Sequence, residues 1–434
     1  MNILIFSEAA WDDTNSFGNT VSNFFNGDTW NKDCFSNFYA RNQMPNNKSI
    51  VNYYQLSAVD IVKGLIKLRI SGKKFTTQNY QNLENSMNLA HKDEQKKIDK
   101  LHQNKNEFIY WGHELIWRSR IWLNKYFKEF IDENKPDVLF AFATSPFILW
   151  PLIRYLKTKT ECKIVLLVAD DTYGNYNNAV WYRKTYLKRD LKKCILSADK
   201  LYGISDKMSR LYQKQFGKEC ETLYKGCDLT LEPNTKINDP IRLVYAGNLF
   251  WGRDDILSKV ALAIEKLNHS RIKATLEIYT GATITPEIEH KLNRGSSSKI
   301  MGSRSYDEIK KIMYDSDIVI HVESFNEDSI ETVKYSLSTK IIDCLQSGSQ
   351  VVGIGPKDIA SIEYLKKVDG AIVIEAENNI EKELQEIIAN PELLLSRAKQ
   401  TREYALKKHE INNVQKKLRK DFESVINMEV IKKN

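Results

Sequence analysis

The 434-residue sequence lacks features that define several large classes of protein. Its six cysteines include no CxxC pair and no histidine cluster accompanies them, so we expect reduced, mostly buried thiols and no structural zinc site. The N-terminus has no basic segment ahead of its short apolar run, which disfavours a signal peptide. The longest apolar tract, Val138 to Ile153, contains Thr144, Ser145, Pro146 and Pro151 and is too short and broken to span a bilayer. These absences predict a cytoplasmic protein.

The residues that are present have the balance of a folded globular chain. Apolar residues make up 42% of the sequence, charged residues 28% and aromatic residues 11%, which disfavours disorder. A single hydrophobic core stops growing below this length, so we expect two domains. The net charge of +8 fits a nucleic acid, an anionic membrane surface or a phosphorylated substrate, and it fits equally a lysine-rich solvated surface.

Short apolar runs that end in polar or turn residues alternate with helical patterns through most of the chain. Such runs are typical of strands buried on both faces, so the sequence predicts an α/β fold with two doubly wound parallel sheets in series. The predicted strands are Ile3–Phe6, Val138–Phe142, Ile164–Val168, Lys200–Ile204, Arg242–Tyr245, Ala274–Tyr279, Ile318–Val322, Gln350–Ile354 and Ala371–Ile374.

The boundary between the domains is predicted in the polar, proline-containing segment Leu229–Pro240. We assign residues 1–234 to the first domain and residues 235–408 to the second. From about Ser396 the chain has the pattern of one long, basic, amphipathic helical region.

Residues 57–135 of the first domain form a predicted helical insertion. Its first part has apolar residues at helical spacing between basic ones: Ile61, Val62, Lys63, Leu65, Ile66, Lys67 and Arg69. Polar and aromatic helical patterns follow over Gln78–Asn106 and Ile116–Phe130. A basic amphipathic helix fits an anionic membrane surface or a lipid acceptor, and it fits equally a helix with its apolar side on the core.

In doubly wound sheets, ligands bind beyond the carboxyl ends of the strands. After the first strand, Gly18 permits close approach of backbone to a ligand, and a helix capped by Asn19 or Thr20 would favour a phosphate there. An ordinary strand–turn–helix loop explains this segment equally well. After Ile164–Val168 come Asp170 and Asp171, which suit a sugar hydroxyl or a proton transfer, or alternatively a helix cap or Asx turn.

Two segments of the second half predict an anion site. Gly247 and Asn248 follow a strand, and Arg253 comes six residues after the glycine, where it can neutralise a diphosphate or pair with a neighbouring aspartate. Later, the strand Ile318–Val322 brings His321 and Glu323 to the sheet edge.

A helix with an N-terminal cap follows that strand. Ser338 is a predicted N-cap, so the first amides, Thr339 and the Lys340 ammonium can converge on one anion, while Asp343 can accept from ribose hydroxyls. The alternative to an anion site is that Ser338 only caps the helix and Lys340 is an ordinary exposed lysine.

Four segments, in order, resemble motifs of the retaining glycosyltransferases with two Rossmann-like domains (the GT-B fold), in particular glycosyltransferase family 4. They are Ser197–Ser205 (SADKLYGIS), Tyr224–Asp228 (YKGCD), Leu243–Leu249 (LVYAGNL) and Asp343–Gly348 (DCLQSG). The resemblance implies two Rossmann-like domains facing across a cleft, with a C-terminal helix, residues 409–434, packing back on the first domain.

The resemblance also implies roles for residues. Arg253 would hold the donor diphosphate with a lysine, either Lys259 or Lys340, and Asp343 would bind the ribose. Glu323 would be the acid that meets the donor sugar; the loop after it is longer than in the family, so Glu327 is the alternative.

The remaining assignments complete the predicted site. Gly18, Gly247, Asn248, Ser338 and Thr339 join the donor site. Asp170 and Glu323 are the candidate catalytic residues. Trp11 and Asp171 are candidates for the acceptor site. Glu331 has the family's literal spacing from Glu323, but Asp343, not Glu331, lies five residues before the glycine.

The implied activity is transfer of a hexosyl group from a nucleotide-sugar to a glycan or lipid-linked saccharide, with retention and without metal or other cofactor. Assembly of a bacterial capsule or O-antigen at the inner face of the plasma membrane would be its setting. Two alternatives stay open: a sugar-nucleotide 2-epimerase, and a non-catalytic protein that binds polysaccharide or a phosphate backbone.

Overall fold

The computed structural model describes residues 1–47, 49, 51–67, 69–79, 107–230 and 235–433. The chain forms two compact units, Met1–Leu223 with Gln415–Asn434, and Tyr224–Val414. Over the described ranges, none of the helices combines the length and apolar character that crossing a membrane requires.

The described part of the first unit contains an eight-stranded sheet with the strand order β4-β3-β2-β1-β5-β6-β7-β8. All neighbouring strands are parallel except β3 and β4. The strands are β1 (Asn2–Ser7), β2 (Cys34–Tyr39), β3 (Val51–Gln55), β4 (Lys73–Thr76), β5 (Val138–Phe142), β6 (Lys163–Val168), β7 (Lys200–Gly203) and β8 (Glu221–Thr222). The four predicted strands are present, but β4 lies inside the insertion that was predicted to be helical, so that prediction was wrong in part.

Helices cover both faces of this sheet, as doubly wound folds require. They are α1 (Ser16–Phe25), α2 (Ala58–Ile66), α3 (Glu107–Arg118), α4 (Lys125–Asn134), α5 (Pro146–Lys159), α6 (Thr172–Asn175), α7 (Trp181–Ser197) and α8 (Asp206–Phe216). The predicted helix Ile116–Phe130 is in fact broken, because Arg120 has a φ of 60° and Asn124 caps a new helix. The predicted helix Gln78–Asn106 lies almost entirely outside the described residues.

The second unit contains a parallel six-stranded sheet in the described part of the chain, with the order β11-β10-β9-β12-β13-β14. Its strands are β9 (Ile241–Ala246), β10 (Ala274–Tyr279), β11 (Ser298–Gly302), β12 (Ile318–Val322), β13 (Gln350–Ile354) and β14 (Ile372–Ile374). The five predicted strands are confirmed, and β11 is the one that the pattern did not predict. Because the chain order reverses between β9 and β12, the loops after these two strands flank the topological switch point.

Helices of the second unit and the C-terminal helix complete the fold. They are α9 (Arg253–Leu267), α10 (Pro286–Leu292), α11 (Tyr306–Tyr314), α12 (Glu327–Val333), α13 (Thr339–Ser347), α14 (Ala360–Leu365), α15 (Ile380–Ala389), α16 (Pro391–His409) and α17 (Ile411–Lys433). The predicted single helical tail is therefore two helices, which meet at Glu410.

The division between the units falls elsewhere than at the predicted residues 234 and 409. The segment after Leu223 belongs to the second unit, since Lys225 pairs with Asp343 and the Cys227 amide donates to the His409 carbonyl. From Gln415 onward the chain belongs to the first unit, where the Gln415 amide donates to the carbonyls of Asn23 and Asn26.

Candidate functional site

In the loop after β9, the backbone at Gly247 lies close to the side chains of Tyr245 and Lys340. The Tyr245 hydroxyl donates to the Asn248 carbonyl at 2.5 Å and holds the turn. A Cβ placed on Gly247 would lie 2.6 Å from the Tyr245 hydroxyl and 2.8 Å from Lys340 Nζ. Trp251 and Gly252 then adopt left-handed φ angles of 62° and 69°, which direct the chain into α9. Glycine at 247 therefore makes room for the Lys340 ammonium.

Arg253, the first residue of α9, forms a buried ion pair with Glu323 at the tip of β12. Its Nη2 lies 2.8 Å from Glu323 Oε2 and 3.0 Å from Oε1, and its Nη1 donates to Asn248 Oδ1 at 2.6 Å. Glu323 is 2% exposed. Burial raises the pKa of Glu323, but His321 and the Arg253 guanidinium outweigh burial and hold it below its usual value. Glu323 is thus an ionised counterion that orients Arg253.

His321 is a third buried polar group beside this pair. Its Nε2 lies 3.1 Å from Glu323 Oε1, so the ring faces the carboxylate that also holds Arg253. The ring is 4% exposed.

Lys340 supplies a second cation at this place. Within the described part of the chain, its Nζ makes neither a hydrogen bond nor an ion pair. Burial, together with the nearby Arg253 charge, lowers the pKa of Lys340 to about 8. An anion that arrived here would stabilise the ammonium form.

Lys340 belongs to the first turn of α13, so the N-terminus of this helix lies in the sequence segment that supplies the cation. Ser338 is the N-cap residue, as predicted, but its side chain makes no capping hydrogen bond. Its own amide donates to Ser361 Oγ at 3.2 Å. The open first turn of a helix favours anions through its free N–H groups and its dipole. Thr339 and Lys340 form that first turn.

Asp343 lies one turn further along α13 and is held by two donors. Lys225 Nζ donates to Asp343 Oδ1 at 2.6 Å, and the Tyr306 hydroxyl donates to the same oxygen at 3.0 Å. Lys225 is 4% exposed. The other oxygen, Oδ2, accepts no hydrogen bond from the part of the chain that the structure describes. Sequence reasoning gave neither Lys225 nor Tyr306 a role, although Lys225 belongs to the YKGCD segment that carried part of the family resemblance.

Three further candidates take no part in these contacts. Glu327 is exposed in the first turn of α12. Lys259 pairs with Glu377 at 2.6 Å on the exposed side of α9, so of the two lysines only Lys340 approaches Gly247. Glu331 pairs with Lys334 at 2.7 Å.

The predicted residues after β1 have structural roles instead. Asn15, not Asn19 or Thr20, caps α1, because its side chain accepts from the Gly18 amide. A Cβ on Gly18 would lie 2.0 Å from the Asp12 carbonyl oxygen. Packing against the Asp12 backbone therefore accounts for the glycine at position 18, and the capping residues predicted there, Asn19 and Thr20, are corrected to Asn15.

Trp11 is not available to an acceptor. Its side chain is 0% exposed and its Nε1 donates to Ser22 Oγ at 2.7 Å. The ring also packs edge-on against Phe35, 6.0 Å away. Burial of this large ring stabilises the core, so the assignment of Trp11 to an acceptor site is corrected.

The two acidic residues after β6 have different surroundings. Asp171 is the N-cap of α6, where its side chain accepts from the Gly174 amide at 3.0 Å and from the Tyr212 hydroxyl at 3.3 Å. This is the capping alternative that the sequence left open, and it occupies the carboxylate that was assigned to an acceptor. Asp170 is exposed at the strand end.

The described ranges hold no group of three or more His, Cys, Asp and Glu side chains arranged to bind a metal ion.

No protein-family model matches the sequence, and no curated protein matches it either. Solved structures match over nearly the whole chain. Sucrose-phosphate synthase from Thermosynechococcus elongatus has a TM-score of 0.61 at 11% identity, covering 98% of this chain and 98% of that one. Anabaena HepE, solved in complex with UDP, has a TM-score of 0.62 at 12% identity, with coverage of 98% and 100%. A trehalose-phosphate synthase from Burkholderia xenovorans, solved with glucose-6-phosphate, has a TM-score of 0.59 at 10% identity, with coverage of 98% and 100%.

At these identities the likeness establishes the fold alone. The protein has the GT-B fold, with two Rossmann-like α/β units, as the order of its sequence motifs predicted. The GT-B fold supports many substrates, so function has to be argued from the site.

Proposed function

We propose that the protein is a glycosyltransferase that binds a nucleotide-sugar beyond β9 and β12 of its second unit. The observation that carries the proposal is the pair of neighbouring cations at the loop after β9: Arg253, bonded to Asn248, and Lys340, which lies beside Gly247 in the first turn of α13 and has no counterion among the described residues. A diphosphate is an anion of the right charge for two cations and a helix dipole. The neighbour solved with UDP, Anabaena HepE, supports a nucleotide-sugar as the ligand.

Within this proposal, each residue of the site has a role. Arg253 and Lys340 bind the diphosphate, and Asp343 offers its free Oδ2 to the ribose hydroxyls. Glu323 orients Arg253, so Glu327 is the better candidate for the acid that meets the donor sugar. Asp170 is the exposed acid in the first unit that could meet an acceptor hydroxyl.

The proposed reaction breaks the bond between the anomeric carbon and the diphosphate oxygen and forms a bond to an acceptor hydroxyl. The hydroxyl proton leaves with the nucleoside diphosphate, and the negative charge on that leaving group is stabilised by Arg253, Lys340 and the α13 dipole. Following the resemblance to family 4, we propose retention at the anomeric carbon, no metal requirement, and a hexosyl donor. A glycan or lipid-linked saccharide of a capsule or O-antigen is the proposed acceptor.

The test is calorimetric titration of the protein with UDP, GDP, CMP and dTDP and their sugars in the presence of EDTA. We expect one nucleotide to bind, and Lys340→Ala and Arg253→Ala each to weaken it at least tenfold, since each removes a charge-assisted contact. Lys259→Ala is the matched control, because it removes an exposed lysine of α9 that pairs with Glu377.

The outcomes separate the alternatives. Absence of binding by every nucleotide contradicts the proposal and favours a scaffold protein. Conversion of a bound nucleotide-sugar to its 2-epimer without an acceptor identifies an epimerase instead. Equal losses in Lys259→Ala and Lys340→Ala would mean that the nucleotide lies elsewhere.

A further inference from the structure

Three neighbouring helices of the first unit leave large apolar side chains exposed. On α2, Val62, Leu65 and Ile66 are 41%, 49% and 80% exposed. Their i, i+3, i+4 spacing places them on one side of the helix. The residues that α2 buries are Ile61 and Gly64. Of the two alternatives for the apolar side of this helix, the core-facing one holds for Ile61 and not for Val62, Leu65 and Ile66.

Helix α3, which packs against α2, also carries exposed apolar side chains, and so does the start of α7. Trp111 and Leu115 lie one turn apart on α3, and Trp181 at the start of α7 is 79% exposed. The Tyr182 ring joins the two helices, with its centroid 6.3 Å from Trp111 and 5.8 Å from Trp181. We define the apolar face by six residues: Val62, Leu65, Ile66, Trp111, Leu115 and Trp181.

The acidic residues of α2 and α3 are turned to partners inside the protein. Asp60 accepts from the Ser57 amide and hydroxyl in a capping box. Glu114 accepts from Arg183 at 2.5 Å, and Glu107 pairs with the same guanidinium. These contacts hold the three carboxylates against the protein, and the Arg183 guanidinium offsets part of their negative charge.

Basic side chains beside the apolar face are exposed. Lys67 and Arg69 directly follow α2. Arg69 and Lys125 both lie on the Tyr126 ring, 5.3 Å and 5.0 Å from its centroid. The Asn124 side chain donates to the Ile70 carbonyl at 2.8 Å, which fixes this cationic edge beside the end of α2. Apolar side chains bordered by cations are complementary to a surface that is apolar inside and anionic outside.

We propose that the apolar face binds an anionic lipid bilayer. Ile66, Trp111 and Trp181 enter the boundary between head groups and acyl chains, while Lys67 and Arg69 contact lipid phosphates. Tryptophan favours this boundary because its ring is apolar and its N–H is polar. A folded protein partner or a second copy is the less complementary occupant, because it would have to supply an apolar patch ringed by acids. The binding does not depend on the transfer reaction.

The test is co-sedimentation of the full chain with vesicles of phosphatidylcholine, with and without phosphatidylglycerol, at low and high salt. We expect binding to the anionic vesicles that weakens with salt, as charge screening requires. The variant Leu65→Ser/Ile66→Ser/Trp181→Ser and the variant Lys67→Glu/Arg69→Glu should each weaken binding at least tenfold. The matched controls are Leu406→Ser and Lys407→Glu, which change exposed residues of α16 in the second unit.

Each outcome decides the proposal. Absence of sedimentation at low salt, equal binding to neutral vesicles, or equal loss in the controls overturns it. If analytical ultracentrifugation instead shows a dimer of the wild-type protein that the first variant dissociates, a second copy occupies the apolar face and the membrane proposal fails. Nucleotide titration of the same variants should be unchanged, so failure here is distinguishable from failure of the proposed function.

Discussion

Arg253 and Lys340 lie at the same site and differ in how they are paired. Arg253 is held by both oxygens of Glu323, and its pKa is raised because that ion pair outweighs the effect of burial. Lys340 has Arg253 as its strongest charged neighbour, and its pKa is lowered to about 8 by burial and by that repulsion. A cation in this state binds an anion strongly while it remains protonated.

The lowered pKa of Lys340 predicts a pH dependence of nucleotide binding. Below pH 8 the ammonium is present and affinity should be constant. Above pH 8 the free protein loses the proton that the complex needs, so affinity should fall by up to about tenfold per pH unit. Calorimetry from about pH 6.5 to about pH 9.5, on either side of the shifted pKa of Lys340, measures this fall.

Lys340→Met is the control for this prediction. It should bind more weakly at neutral pH and show no fall above pH 8. A wild-type protein whose affinity is flat across the range would show that Lys340 does not contact the nucleotide.

At the scale of elements, the loop between β9 and α9 depends on the absence of a side chain at Gly247. The Tyr245 hydroxyl is fixed by the Asn248 carbonyl, and Lys340 Nζ occupies the remaining space. An added methyl group would have to displace one of them. Lys340 is the flexible one, so the site should change more than the fold does.

We therefore predict that Gly247→Ala weakens nucleotide binding at least tenfold and lowers the free energy of unfolding by about 1–3 kcal/mol. Gly281→Ala is the matched control after the neighbouring strand β10, where the nearest atom to an added Cβ is Ser303 Oγ at 3.7 Å. Titration and urea denaturation of both variants measure the two effects. Unchanged binding in Gly247→Ala would place the nucleotide away from this loop.

The same scale shows which strands a single sequence predicts. Ile318–Val322 and Gln350–Ile354 are nearly continuous apolar runs, and Ala274–Tyr279 alternates apolar with polar residues before its last two positions; the structure has strands with these same bounds. The strand Cys34–Tyr39 was missed, because Ser36 and Asn37 interrupt its apolar pattern. Asn37 is nevertheless buried, since its side-chain amide donates to the Ile5 carbonyl at 2.9 Å. A tertiary hydrogen bond thus replaces the expected apolar side chain.

At the scale of the whole molecule, the last helix belongs to the unit that contains the N-terminus. Phe422 of α17 is 0% exposed and packs among Phe25, Trp30 and Phe140, with ring centroids 6.1, 5.9 and 6.2 Å away. Arg419 of the same helix pairs with Asp33. All groups of the proposed donor site belong to the other unit.

Phe422→Ala should therefore destabilise the first unit by about 3–5 kcal/mol, through lost burial and the cavity that remains. Nucleotide affinity should stay within about twofold at a temperature where both units are folded, a difference well under 1 kcal/mol. Scanning calorimetry with nucleotide titration measures both, and Met428→Ala, which truncates an exposed residue of α17, is the control. A large loss of affinity in Phe422→Ala alone would mean that the donor site requires an intact first unit.

The sequence by itself determined the α/β class, the strands buried on both faces, and the presence of Arg253, Lys340 and Asp343 beyond strand ends. These features can be predicted from local patterns, because apolar runs, helix caps and the ends of strands each depend on residues that are neighbours in the sequence. Only the tertiary structure decided which charged side chains pair with one another. Arg253 was expected to meet a diphosphate or a neighbouring aspartate, yet its partner is Glu323, seventy positions along the chain.

The same distinction explains the residues that changed role. Trp11 and Gly18 follow a strand, as ligand-binding residues do, but packing against Ser22 and Asp12 uses them for the core. Lys225 acquired its contact with Asp343 from a segment 118 positions away. Contacts between distant segments form only when the sheet and its helices bring them together, so no local pattern encodes them.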